Sequence, residues 1–225
     1  MHMIKAVLWD FDGTIADTTH QHYEAWRVCF LEYGIEHSYD DFLNGFGRIN
    51  SQIIPEFLPD LPKVEVEAFS RRKEAIYREI LLQTPNFKPI AGVLEWLVHF
   101  HEAKIPQAVA SSGPMANIVA GVKALHLEDF FHALMTGYYL PEGKPHPAIF
   151  LNSAAALQMK PEECLVFEDS PAGVEAAMRA GMACVVVGDL AHNGKLPGVL
   201  AKKKGRTCLP VGDLERLTWE MVSGV

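Results

Sequence analysis

The chain has 225 residues, 49% of them hydrophobic and 21% charged, which at ~150 residues per domain allows a full core plus a smaller unit and excludes a disordered or low-complexity polypeptide. Twenty Lys and Arg against 28 Asp and Glu give a net charge of -8, which repels duplex phosphate and argues against a nucleic-acid partner. No run approaches the ~18 apolar residues that span a bilayer and the start lacks a cleavable leader pattern, so a soluble cytoplasmic monomer with no membrane partner is expected.

The first apolar, β-branched run, Ile4 to Trp9, reads as a strand and ends in Asp10-Phe11-Asp12-Gly13-Thr14. Alternation along a strand would point Asp10 and Asp12 the same way, roughly 6 to 7 Å apart at ~3.3 Å per residue, with Phe11 opposite and Gly13 turning the chain. Two carboxylates so placed can divide labour, one staying ionised while the other carries a proton. An ordinary turn after a strand explains the segment equally well.

From 17 to 86 no strand pattern occurs, only helical ones such as His22 to Tyr33 and Val64 to Leu82, punctuated by Pro55, Pro59 and Pro62. So long an insert is no crossover loop, and it is expected to form a separate helical cap domain, with 1–16 and 87–225 forming the core.

Beyond it, strand runs and helical patterns alternate. Gln107 to Ala110 stops at Ser111-Ser112-Gly113-Pro114, where a hydroxyl and free amides ahead of a helix can hold an anion or merely cap it. Ala133 to Thr136 precedes Gly143-Lys144-Pro145-His146-Pro147, a proline-stiffened loop presenting Lys144. Cys164 to Phe167 ends in Glu168-Asp169-Ser170-Pro171-Ala172-Gly173. Ser170 and Pro171 fit a helix start, but two adjacent acids leaving an apolar strand need a cation, and magnesium suits such hard oxygen ligands. Ala183 to Val187 is the fifth run, and the stretch from Leu190 should close the sheet's edge and add a last helix. Lys202 to Arg206 reads as a solvated loop, and Cys29, Cys164, Cys184 and Cys208, without metal-type spacing, read as reduced thiols. The fold class that follows is α/β: a Rossmann-like parallel sheet with helices on both faces plus an inserted α-helical cap, its chemistry at the carboxyl ends of the strands.

These motifs, in this order, resemble the haloacid dehalogenase superfamily of aspartate-nucleophile phosphotransferases: DFDGT, the strand-end Ser of VASS, the Lys of GKPHP and the acidic pair of VFEDSPAG. DFDGTIADT with His22, Ala25 and Trp26, together with FEDSPAGVEAAMRAG, is similar to its β-phosphoglucomutase-like branch. The resemblance implies that Asp10 is the nucleophile and Asp12 the acid/base, and that Ser111 and Lys144 hold the moving phosphoryl group. It further implies Mg2+ held by Asp10, the Asp12 carbonyl, Glu168 and Asp169. In the cap it assigns substrate contacts to His22, Gly45, Arg48 and Lys73, with Ser112 from the core. The activity implied is a magnesium-dependent phosphatase acting on a small phosphorylated metabolite, a sugar phosphate, through an aspartyl-phosphate. β-Phosphoglucomutase is the alternative, against which Ser112-Gly113-Pro114-Met115 departs from the mutase's more polar stretch. A non-catalytic phosphoryl-binding domain is the alternative of another class.

Overall fold

β-Branched and aromatic residues build six parallel strands in the computed structural model, which describes residues 4–45, 48–192 and 208–224. They are β1 Ala6–Trp9, β2 Gln107–Ser111, β3 Ala133–Thr136, β4 Cys164–Glu168, β5 Ala183–Val187 and β6 Cys208–Gly212, in the order β3-β2-β1-β4-β5-β6. Ten α-helices occur among the described residues: α1 Thr19–Leu31, α2 Tyr39–Gly45, α3 Asn50–Phe57, α4 Lys63–Gln83, α5 Val93–Glu102, α6 Met115–Ala124, α7 Ala148–Ala156, α8 Pro171–Arg179, α9 Asp189–His192 and α10 Trp219–Ser223. Lys202 to Arg206 lies outside the described residues.

Alternation along the strands sorts the core into two layers. Ala6, Leu8, Ala108, Ala110, Val166, Cys184 and Val186 pack with Ile149, Phe150 and Ala154 of α7 and Val174, Ala176 and Ala177 of α8. On the other face Trp9 stacks on Phe167 with centroids 4.0 Å apart, and Phe100 of α5 meets both rings edge-on. Gln107, fully buried, accepts from the Trp9 indole at 3.0 Å and donates to the Leu97 carbonyl at 2.9 Å, which ties α5 to the sheet. Helices therefore cover both faces. The Phe11 ring lies against Gly121 of α6, where a Cβ would come within 2.2 Å of it. β6 carries Pro210, which an edge strand tolerates because one side of its ladder is unpaired.

The chain divides into two compact units, 1–17 with 88–225 and 18–87. The second is helical throughout, and its largest packing is α1 on α4, with Trp26 and Phe30 of α1 against Phe69 of α4. Pro55 lies within α3 near its end rather than breaking the segment into loop. Ile90 at the return to the first unit donates its amide to the Ile15 carbonyl at 2.9 Å. No helix among the described residues is long and apolar enough to cross a membrane. Cys29, Cys164 and Cys184 are buried and, with the partly buried Cys208, are free thiols.

Candidate active site

β1 ends at Trp9, and the Asp10 amide extends the ladder by donating to the Phe167 carbonyl at 3.0 Å. The strand does not continue through Asp12, as simple alternation would have it. The chain turns there: Asp12 bridges to Ala16, Gly13 takes φ 84°, and its amide donates to the Ala16 carbonyl at 2.8 Å. A Cβ at Gly13 would lie 2.1 Å from Asp169 Oδ2, so glycine both permits the left-handed turn and lets it sit against the acid at the end of β4.

β4 delivers Glu168 as its last residue, with Asp169 just beyond. Glu168 is 1% exposed and both of its oxygens are engaged: Oε2 accepts from the Ser170 amide and Oε1 from Lys144 Nζ, each at 2.6 Å. Ser170 caps α8 through Gly173, whose amide donates to its Oγ at 3.0 Å, and Pro171 takes the first helical position. Gly173 has a second task, since a Cβ there would fall 1.8 Å from Glu168 Oε1. Capping thus explains Ser170 and Pro171, and the acids beside them find their cation far away in sequence. Lys144 reaches in from the loop between β3 and α7, passes 5.0 Å from the Phe150 ring centre, and donates to Asp10 Oδ1 at 2.6 Å as well as to Glu168. Asp10 Oδ2 accepts no hydrogen bond among the described residues.

Burial pushes the Asp10 carboxyl well above its ordinary range, with Glu168 and Asp169 adding to the rise and Lys144 opposing it. Burial, then the neighbouring Glu168, pushes Asp169 up to about 7, against a hydrogen bond from the Thr14 hydroxyl at 3.1 Å. Burial works against the charge of Lys144, but Asp10 and Glu168 together overcome it and hold the ammonium above the usual lysine value. Asp10, Glu168 and Asp169 can each offer an oxygen within 4.8 Å of the others. With all three ionised, the carboxylates would exceed the one ammonium among the described residues of the cluster by two charges, a deficit and a donor set that fit a divalent hard cation.

A stability test follows from Asp169. Its folded pKa lies above the unfolded value, so the folded protein holds the proton more tightly, and stability present at low pH is lost as pH rises through about 7. Without metal, the melting temperature is expected to fall by a few degrees from pH 5 to pH 8, and added magnesium to raise it more at pH 8 than at pH 5. Equal magnesium effects at both pH values would count against these acids as the metal site.

Ser111, 1% exposed, ends β2, and its Oγ accepts from the Gly113 amide at 3.0 Å, leaving the hydroxyl proton for another acceptor. A Cβ at Gly113 would lie 3.8 Å from Asp12 Oδ2, so this turn runs alongside the second carboxylate. Ser112 is exposed in the same turn. The core unit thus brings Asp10, Lys144, Glu168 and Asp169 into one cluster, with Asp12 and Ser111 bordering it.

The helical unit has its own polar cluster. Lys73, 3% exposed, lies 2.9 Å from His22 Nδ1, donates to Glu74 Oε1 at 3.0 Å, and sits over the Trp26 ring at 5.2 Å and the Tyr77 ring at 5.7 Å. His22 stacks on Tyr77 with centroids 4.0 Å apart. Asn50, which opens α3, donates to Glu74 Oε1 at 2.7 Å and to Ser70 Oγ at 2.9 Å. Arg48 is exposed and spends both terminal nitrogens on Glu56, at 2.6 and 3.2 Å. Gly45 closes α2 against Ile53, 3.2 Å from where its Cβ would be. Sequence reasoning assigned no role to Thr14, Glu56, Glu74, Asn50 or Ser70. Thr14, fully buried, lies within DFDGT, and Ser70 and Glu74 lie within the Val64 to Leu82 helical pattern.

A profile of the family described as "Haloacid dehalogenase-like hydrolase" matches residues 7–187. The chain is 32% identical over 184 residues to a phosphorylated carbohydrates phosphatase of Thermotoga maritima, covering 80% of this chain and 82% of that protein. It is 31% identical over 191 residues to the β-phosphoglucomutase of Bacillus subtilis, covering 82% and 84%. The crystal structure of β-phosphoglucomutase from Clostridium difficile superposes with a TM-score of 0.83 at 26% identity, covering 99% of this chain and 96% of that one.

Proposed function

The chain belongs to the haloacid dehalogenase-like hydrolases, and from that premise we propose that it is a magnesium-dependent phosphatase cleaving a small phosphorylated metabolite, a sugar phosphate by class, through a phosphorylated Asp10. The observation that carries this reading is the Lys144 ammonium, 2.6 Å from both Asp10 and Glu168 at the carboxyl ends of two adjacent strands. A lysine buried there neutralises the approach of a phosphate dianion to a carboxylate nucleophile.

Asp10 Oδ2 attacks phosphorus and the ester P–O bond breaks. The departing alkoxide takes a proton from Asp12. Water then attacks the aspartyl-phosphate, gives its proton to Asp12, and the P–O bond to Asp10 breaks, which releases phosphate and restores the Asp10 carboxylate and the protonated Asp12. Lys144 and the Ser111 hydroxyl hold the nonbridging oxygens through both steps. Asp10, Asp169, the Asp12 carbonyl and Glu168 would hold magnesium, which supplies charge compensation between carboxylate and phosphate. Gly13 and Thr14 fix the Asp12 turn against Asp169, so the proton carrier and the metal ligands are set by one local conformation. Residues 18–87 serve as the cap, with His22, Gly45, Arg48 and Lys73, and Ser112 from the core, contacting the remainder of the substrate.

β-Phosphoglucomutase is the second reading, and likeness to mutases supports it. A mutase must hold a second phosphate while a bisphosphate turns over, and Arg48 and Lys73, the cations that the resemblance assigns to the substrate, are already paired with Glu56 and Glu74. That favours water as the acceptor. A panel of phosphorylated metabolites assayed with magnesium, following free phosphate and isomerised product together, separates the readings. Phosphate release is the expected result, isomerisation without net phosphate would replace it by the mutase, and silence across the panel would leave a phosphoryl-binding domain.

A further inference from the structure

β3, the edge strand, leaves the sheet at Thr136, directly opposite Ser111. There the two strand ends are latched. The Thr136 hydroxyl donates to the Gly113 carbonyl at 2.6 Å and accepts from the Tyr138 amide at 3.1 Å, while the Gly137 amide donates to the Ser111 carbonyl at 2.8 Å. Gly137 packs on the same turn, where a Cβ would make an ordinary contact with Ser112 Cα at 3.6 Å. The turn bearing Ser111 and the segment bearing Tyr138 and Tyr139 therefore form one hydrogen-bonded piece. On that piece the two tyrosine rings stand edge to face, centroids 5.0 Å apart at 88°, and remain 40% and 79% exposed.

A pair of large rings held in water by a latched loop contributes little to the core. Its position gives it another use. Gly113, the partner of Thr136, is also the residue beside Asp12 Oδ2, and Asp12 marks the side on which the alcohol departs in the reaction above. The carbon skeleton joined to that oxygen thus emerges along the turn to which the tyrosines are fixed.

We propose that Tyr138 and Tyr139 form an aromatic platform that receives the apolar face of a cyclic sugar on the departing oxygen, and so select ring-sugar phosphates over acyclic esters. The inference rests on the phosphatase reading for the direction of departure. Aromatic faces suit this ligand because a sugar ring presents C–H groups on one side while its hydroxyls stay hydrated or bond the phenols.

The test compares the unaltered protein with the pair Tyr138→Ala/Tyr139→Ala and the pair Tyr138→Phe/Tyr139→Phe, with magnesium present. The ratio of kcat/KM for glucose 6-phosphate to that for glycerol 1-phosphate is expected to fall about 3- to 10-fold in the alanine pair, the range that one aromatic contact supplies. The phenylalanine pair is expected to restore it. An unchanged ratio in the alanine pair, or loss in both pairs, overturns the platform. Calorimetric binding of glucose 6-phosphate and of inorganic phosphate gives a second arm that needs no turnover. Sugar phosphate weakened more than phosphate supports the platform, and equal weakening overturns it. Should the unaltered protein hydrolyse neither ester, the metabolite panel decides the phosphatase reading and the binding arm decides the platform.

Discussion

Asp10→Asn is expected to lower kcat by at least ~10^4-fold, the scale on which loss of a covalent nucleophile is felt when the rest of a site is intact. The amide cannot form the aspartyl-phosphate, and no other carboxylate of the cluster is expected to take its place: Glu168 has both oxygens engaged, and Asp169 accepts from the Thr14 hydroxyl. The fold should survive. Burial already works against the charge of Asp10, and Lys144 keeps Glu168 as its partner when that charge is removed. Single-turnover assays and a thermal melt on the same sample check this. Activity within tenfold of the unaltered protein would discard the nucleophile assignment.

Lys144→Met should damage both activity and stability. It removes the one ammonium shared by two buried carboxylates, and breaking such a pair from one side typically costs about 3–5 kcal/mol. The sign with pH is fixed by the same geometry. Asp10 is already raised in the folded state, and without Lys144 it rises further, so the variant is most nearly normal at acid pH and loses stability as pH climbs above the carboxylate range. Urea melts at pH 5 and pH 8 should therefore diverge for the variant far more than for the unaltered chain. A uniform loss across that range would mean that Lys144 contributes packing against Phe150 rather than charge.

Much of the architecture was legible because it rests on periodicity. The five apolar runs became five parallel strands with boundaries shifted by two residues at most, and no strand occurs among the described residues of 18–87. What pattern could not supply was local turn chemistry and tertiary pairing. Alternation would have carried the first strand through Asp12, but β1 ends at Trp9, and Asp12 is aimed by the turn that Gly13 makes with positive φ. Lys144 is 134 residues from Asp10, and only assembly of β1 beside β4 reveals that two acids share it. In the helical unit, Lys73 and Glu74 are neighbours in sequence, a spacing that ordinarily points side chains apart on a helix, yet both are buried and joined. Arg48 and Glu56, both exposed, are eight residues apart and pair across an intervening helix start.

The bond from the Ile90 amide to the Ile15 carbonyl means that seventy-odd residues of helix leave and rejoin the sheet through one narrow neck. A neck whose two chain segments are already joined by a backbone hydrogen bond is a natural port for grafting. Swapping the whole cassette, or trimming it to a short tether, would leave these two ends where they are.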